Sequence, residues 1–405
     1  DQGMRMSVEQ TFLDAIRQEP DEMVHRLAFT DWLEDREDPR AELIRIHLEL
    51  DEIPEYARHI SDPIFRKRLW WREHAAHWLN TFTDVEPIHC WCERGVPEDA
   101  QFENFKTFQR IGAEWLACTA IHRVQFRTLT GCKMLARMRL LQQVTELMMD
   151  RPGLRSHALN VLFKSENINN LRRLSVTSSE LDPSTARAIR DCPHLGNLRG
   201  LDLSHNAIKD EGVAYLAQFP GQLQSLALRR VGLTNQGIQA LVDSTLVEGL
   251  EQLDLNFNDL GDEAVALLAE CESLTNLTNL EISDCRLSAK GVKSLCESKH
   301  LSHLKRLDLS SNDIAEEGVS MIPEATFLPS LERIELGLLD DRIPDFHTWA
   351  GASFPELRYL DLGSVELSAS TLSPLIQADM PKLRYLDVSG RLGGDESVRA
   401  LADWP

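Results

Sequence analysis

Few residues in this chain have the types and spacing that chemistry needs. His89, Cys90 and Cys92 offer imidazole and thiolate donors of the kind zinc prefers. A single Cys-x-Cys with no second pair does not complete a tetrahedral site, and the alternation reads equally well as a strand. His74 and His77 lie three apart on an expected helix, but no His-Glu-x-x-His surrounds them. Cys118 and His122 could make a thiol–imidazole pair only if the fold brought them together in space. There is no Gly-x-x-x-x-Gly-Lys-Ser/Thr phosphate loop, no Gly-x-Gly-x-x-Gly turn and no Gly-x-Ser-x-Gly elbow. Packing accounts for all of these, so no enzyme activity, cofactor or metal is expected. The strongest chemical signal is a periodic row of carboxylates: Asp202, Asp254, Glu281, Asp308, Glu335, Asp361 and Asp387, interrupted by Ala227. Its earlier members, Gln125, Met148 and Ser175, carry no charge. Two places before the last four carboxylates stand Arg306, Arg333, Tyr359 and Tyr385.

The elements that must position this row are repeats. Leu198, Leu201, Leu203, Asn206 and Ile208 form a phrase that returns at Leu250–Leu260 and at Leu304–Ile314. Weaker copies start at Leu171, Leu223, Leu277, Leu331, Leu357 and Leu383, and degenerate ones at Ile121 and Val144, in steps of 23 to 27 residues. The alternating leucines predict a short strand with one face inward. Asn206, Asn258 and Asn312 hold the ninth place, where a side-chain amide can satisfy backbone groups at the turn. Ser179, Val231, Cys285, Leu339, Val365 and Arg391 replace it elsewhere, so those turns must be satisfied otherwise. A small residue follows at Ala158, Gly212, Gly237, Ala264, Gly291 and Gly318, then apolar residues three apart such as Val213 and Leu216. That half predicts a short helix lying close to its neighbour.

This pattern resembles the leucine-rich repeat, and its full-helix period resembles the ribonuclease-inhibitor-like class. The resemblance covers residues 121–405 and implies an α/β solenoid: a horseshoe with parallel strands inside and helices outside. If the fourth and sixth places point inward, the third, fifth and seventh point away. Neighbouring carboxylates then stand about 4.8 Å apart and repel unless compensated. The plain alternative is that Leu-Asp-Leu is common in such repeats and the side chains are screened by water. Eleven strands give an inner surface of roughly 50 Å, the scale of a protein rather than a metabolite. The expectation is a basic protein surface bound on the concave acidic face, anchored by Tyr359 and Tyr385.

The first 120 residues read differently. Residues 1–6 read as an added scar. Phe12, Leu13 and Ile16 predict one helical face, Met23, Leu27, Trp32 and Leu33 a second, and Leu43, Ile44, Leu48 and Leu50 a third. The run from Phe12 through Pro20, Asp31, Trp32, Asp38, Pro39 and Arg45 resembles the bacterial repeat-companion domain, with Ala41 where that family usually has glycine. The resemblance implies company with repeats and supplies no activity. The expected organisation is a helical domain over 7–80, a connecting or capping segment over 81–120 and repeats over 121–405. Arg66, Lys67, Arg68 and Arg72, interleaved with Trp70 and Trp71, are expected to face water while the indoles pack inward. No polar cap follows the last repeat, so the expectation is that Trp404 covers that end, that a partner does, or that the chain is shortened there.

Composition bounds the function. Of 405 residues, 64 are acidic and 43 basic, for a net charge of −21, which argues against general nucleic-acid binding but not against a local basic patch. Residues 121–170 are the exception, with 8 basic and 3 acidic groups. No apolar run is long enough for a membrane span, and no apolar leader precedes the eight scattered cysteines, so a reducing cytoplasm is expected. The reading is a non-enzymatic sensor, inhibitor or adaptor of a bacterial regulatory or defence system, with no small-molecule substrate. Two alternatives stay open: a GTPase-activating repeat protein using Arg229 and Arg230, and a regulated substrate of a partner protease or modifying enzyme, cut within 81–120.

Overall fold

The computed structural model describes residues 2–51, 53, 61–79, 89–92, 96–126, 132–150, 156–337, 346–363, 368–389 and 395–402. Leu339, Val365, Arg391 and Trp404 lie outside the described residues. The chain divides into two compact units, Asp1–Val176 with Pro193–Asn197, and Thr177–Cys192 with Leu198–Pro405.

The first unit opens with helices α1 (Gln2–Gln18), α2 (Met23–Glu34), α3 (Arg40–Asp51) and α4 (Asp62–Leu79). α1 takes in residues 2–6, the stretch read as an added scar. Leu13, Ile16, Phe29, Leu33, Ala41 and Ile44 form the shared core, with Val96 and Ala120 in the same cluster. The face of α2 differs from expectation. Arg26, Phe29, Thr30 and Leu33 are buried, whereas Met23 and Leu27 are exposed. Arg26 sets this rotation: its guanidinium grips Glu98 through two bonds of 2.5 and 2.8 Å, with both side chains almost wholly buried. Arg17 similarly donates to the carbonyls of Leu116 and Thr119. On α4, Trp70 is buried and donates its indole N–H to the Pro39 carbonyl at 2.9 Å, while Arg66 pairs with Glu49.

The sheet of this unit begins earlier than the leucine pattern does. Strand β1 (His89–Cys92) pairs antiparallel with β2 (Pro97–Phe102), and β2 pairs parallel with β3 (Arg123–Phe126). β4 (Glu146–Asp150) and β5 (Arg173–Thr177) follow in chain order. The inward places of β2 are Glu98, Ala100 and Phe102, so the strand carries no leucine pair to announce it. Helix α5 (Phe105–Cys118) starts at Asn104, whose side chain accepts from the N–H groups of Lys106 and Thr107, a standard N-cap. The described residues of 81–120 therefore contribute two strands and a helix to the layered fold, and Phe102, Phe105, Phe108 and Phe126 pack their rings within 4.5–6.4 Å. The short helix α6 (Cys132–Leu135) and α7 (Ser156–Leu162) complete the helix layer. The first unit runs to Val176, and its helical core takes in Val96, just before β2, and Ala120, just after α5.

The second unit alternates helix and strand: α8 (Pro183–Arg190), β6 (Gly200–Asp202), α9 (Lys209–Leu216), β7 (Ser225–Ala227), α10 (Asn235–Val242), β8 (Gln252–Asp254), α11 (Gly261–Glu270), β9 (Asn279–Glu281), α12 (Ala289–Glu297), β10 (Arg306–Asp308), α13 (Ala315–Met321), β11 (Arg333–Glu335), β12 (Tyr359–Asp361), α14 (Ala369–Ile376), β13 (Tyr385–Asp387) and α15 (Asp395–Ala402). The strands are parallel and in register, with Leu201, Leu226, Leu253, Leu280, Leu307, Ile334, Leu360 and Leu386 aligned. All but Leu386 are buried.

Turn asparagines serve two repeats each. Asn258 accepts from the N–H groups of Val231 and Leu233 in the preceding repeat, both at 3.1 Å. Its amide donates to the carbonyls of Leu228 and Leu255 at 2.8 and 2.7 Å. Asn206 serves Ser179 and Leu181 in the same way, and Asn312 serves Cys285 and Leu287. This is how the turns at Ser179, Val231 and Cys285 dispense with an asparagine of their own. A second link runs forward. Asp210 accepts from the Thr234 and Gly237 N–H groups, and Asp262 from those of Ser288 and Gly291, capping the next helix. A Cβ on Gly237 or Gly291 would stand 2.5 or 2.7 Å from the capping carboxylate, so glycine is required there.

Candidate protein-recognition face

The site residues lie on one sheet face of the second unit. Register sets Asp254, Glu281, Asp308, Glu335, Asp361 and Asp387 side by side as successive Cα partners. Asp202 is separated from them by Ala227. The third-place row brings Arg306, Arg333, Tyr359 and Tyr385 together in the same way.

The aspartates also do local structural work. Each of Asp202, Asp254, Asp308, Asp361 and Asp387 accepts the backbone N–H two residues on, at 2.7–3.0 Å. Such turns close the strand and direct the chain into its loop. Glu281 and Glu335 are too long for that bond; they accept from the Asn256 amide at 2.9 Å and the Arg333 guanidinium at 2.7 Å. Burial pushes Asp254, Glu281, Glu335 and Asp361 above the ordinary carboxylate range, and neighbouring carboxylates push in the same direction. For Asp254 and Asp361, the backbone bond opposes that rise.

The two tyrosines are not equivalent. Tyr359 is 8% exposed, with Arg333 4.0 Å from its ring centroid and the Tyr385 ring stacked at 4.5 Å and 10°. Burial, and Asp361 after it, push its phenol up to about 12. Tyr359 is therefore covered, and Tyr385, half-exposed, presents the stack. Arg306 is exposed, with no side-chain partner among the described residues.

Sequence reasoning missed Arg229 as a member of this face. It stands at the seventh place of the strand that carries Ala227, where its neighbours hold Ser204, Asn256 and Ser283. Its guanidinium lies 4.7 Å from the centroid of Phe257, and its charge draws Asp254 and Glu281 back down. The cation where other repeats hold small polar residues was the available signal. Arg230, next to it, is exposed on a left-handed backbone at φ 52°. Among the described residues, no group of three His, Cys, Asp or Glu could hold a metal ion, and no helix is long and apolar enough to cross a membrane.

A family profile described as "Leucine Rich repeat" matches residues 194–217, 250–269, 273–296 and 300–322. These four segments are similar to leucine-rich repeats. The repeat fold is an α/β solenoid with a helical region ahead of it. Two solved structures are similar at low identity. One is the plant peptide hormone receptor RGFR1 in complex with RGF2, 19% identical over 69% of this chain, with TM-score 0.39. The chain spans only 41% of that receptor chain's length. The other is an internalin (inlF) from Listeria monocytogenes str. 4b F2365, 13% identical over 72% of this chain and 81% of that one, with TM-score 0.41.

Proposed function

We propose that the leucine-rich repeats form a non-enzymatic protein-recognition module that binds a basic protein surface on the acidic face of β8–β13. The observation that carries this reading is the unbroken lateral run from Asp254 to Asp387, in which four carboxylates are held above their ordinary range by burial and each other. A cationic partner would relieve that repulsion and be steered toward it. Tyr385 and Arg306 supply accessible contacts beside the row; Tyr359 and Arg333 back Tyr385 from behind. Asp202 contributes at a distance. The ribonuclease-inhibitor-like subclass, the companion domain and a cytoplasmic bacterial role as sensor, inhibitor or adaptor belong to the same proposal.

The test uses a partner recovered by affinity purification from the organism of origin. Asp308→Asn, Asp361→Asn and Asp387→Asn keep the turn acceptor and remove the charge. The triple variant should associate about tenfold more slowly and lose most of its salt dependence. Unchanged association kinetics would count against the reading.

A further inference from the structure

The helix layer of the first unit carries the opposite charge. Lys106, Arg110, Lys133, Arg137, Arg139 and Lys164 are all exposed, and none has a salt bridge among the described residues. Other cations of that unit behave differently: Arg17, Arg26, Arg40, Arg45, Arg66 and Arg123 all grip carboxylates. In a chain of net charge −21, a group of unpaired cations concentrated on adjoining elements stands out as a surface held for something else.

Its geometry is ordered. Lys106 and Lys133 are each the second residue of α5 and α6; Arg110 lies four residues further along α5, and Arg137 lies four residues further on in the turn that follows α6. α5 packs beside α6, and α6 beside α7, after which Lys164 follows. Four residues along a helix span about 6 Å. Adjacent helix axes lie about 8–10 Å apart. The cations thus recur every 27 residues, Lys106 with Lys133 and Arg110 with Arg137 and Lys164, with a longer step from element to element than along α5.

The occupant can be chosen by its chemistry. Among the described side chains of α5, the rings of Phe105 and Phe108 are fully buried and offer no stacking to unpaired bases. Continuous polyanions are disfavoured by the charge of the whole chain. An α-helix laid across α5, α6 and α7 repeats its face every seven residues, about 10.5 Å, close to the lateral step. We propose that this patch docks an acidic amphipathic helix of a partner protein, with Asp or Glu at seven-residue spacing meeting Arg110, Arg137 and Lys164 in turn. This second interface does not depend on the acidic face, so either can fail alone.

The full chain is titrated with a fluorescent alanine-rich peptide of about 22 residues, long enough to be helical, bearing Glu in heptad register. A peptide of the same composition with scrambled Glu positions and a labelled duplex DNA serve as competitors. The heptad peptide should bind at low salt about tenfold more tightly than the scrambled one, and Arg110→Glu with Arg137→Glu should weaken it about tenfold. Equal binding of the two peptides, an indifferent double variant, or tighter binding of the duplex would overturn the proposal. Should the double variant melt early, Arg110→Gln with Lys133→Gln replaces it, with a loss of about fivefold expected and no loss again overturning it.

Discussion

Two rows of charged side chains cross the strands of this molecule, one in each unit, and they are built on opposite rules. In the first unit the third places of β2, β3, β4 and β5 read Asp99, Arg123, Glu146 and Arg173. Arg123 lies 2.8 Å from Asp99 and 2.6 Å from Glu146, and Arg173 3.9 Å from Glu146. Signs alternate and each charge finds its neighbour. In the second unit the fifth places of β8–β13 are all carboxylates, and relief comes from turn N–H groups, from Asn256 and from Arg229 and Arg333. The same sheet geometry therefore yields one row that is complete within the fold and one that is not. The first is closed within the fold, and the second is the one proposed above to meet a partner.

The comparison breaks most visibly at Arg123. Arg123→Met leaves Asp99 and Glu146 facing each other, each with little more than a tenth of its side chain exposed. Removing one partner from such a network should cost about 3–4 kcal/mol. Urea denaturation followed by circular dichroism would measure it. A loss below about 1 kcal/mol would mean that the alternating row is as dispensable as a surface pair.

The second unit meets its own demands under the sheet, at the turn asparagines. Asn258→Ala orphans the buried N–H groups of Val231 and Leu233 and takes one donor from each of the Leu228 and Leu255 carbonyls, in two repeats at once, so a loss of about 2–3 kcal/mol is expected. Hydrogen exchange should show Val231 and Leu233 losing protection together, because one side chain holds both. Independent opening of the two amides would contradict a shared bridge.

These cases show what was legible in the sequence. Alternating leucines betray strands because the inward pair is repeated chemically, as in Leu201 and Leu203. β2 escaped notice because Ala100 and Phe102 fill its inward places while Glu98 is buried only by virtue of Arg26, 72 residues away. The asparagines were legible as turn residues, but their service to the preceding repeat was not, since it depends on stacking across neighbours. The carboxylate row was legible as a row. That its aspartates also cap turns, and that Tyr359 is sealed between Arg333 and Tyr385, depends on side-chain direction, which spacing alone does not give.

The tyrosine stack offers the next test. Tyr385→Ala uncovers one face of Tyr359 and removes a stacked pair, with an expected loss of about 1 kcal/mol by thermal or urea melting. The phenol of Tyr359, at about 12 in the intact stack, should then titrate closer to an ordinary tyrosine, because burial is the main cause of its rise. An unchanged titration would show that Arg333 and the neighbouring strand cover the ring without Tyr385.

The smallest effect is the most diagnostic of the contrast between rows. Asp254→Asn keeps an oxygen to accept the Asn256 N–H and deletes one charge from the row. Asp254 is held above the ordinary aspartate range in the folded chain, so the folded state binds its proton more tightly than the unfolded one. Stability then falls as pH rises through that window, and the penalty is complete above the folded value. At neutral pH the variant should therefore be more stable than the parent by about 0.5 kcal/mol. The advantage should shrink as pH drops toward ordinary aspartate values, where the parent carboxylate is itself protonated. Substituting Arg123 should show no such gain at any pH, because its row is already compensated. A destabilised Asp254→Asn at neutral pH would mean that the turn bond outweighs the repulsion, and the acidic face would then be structural rather than held open for a partner.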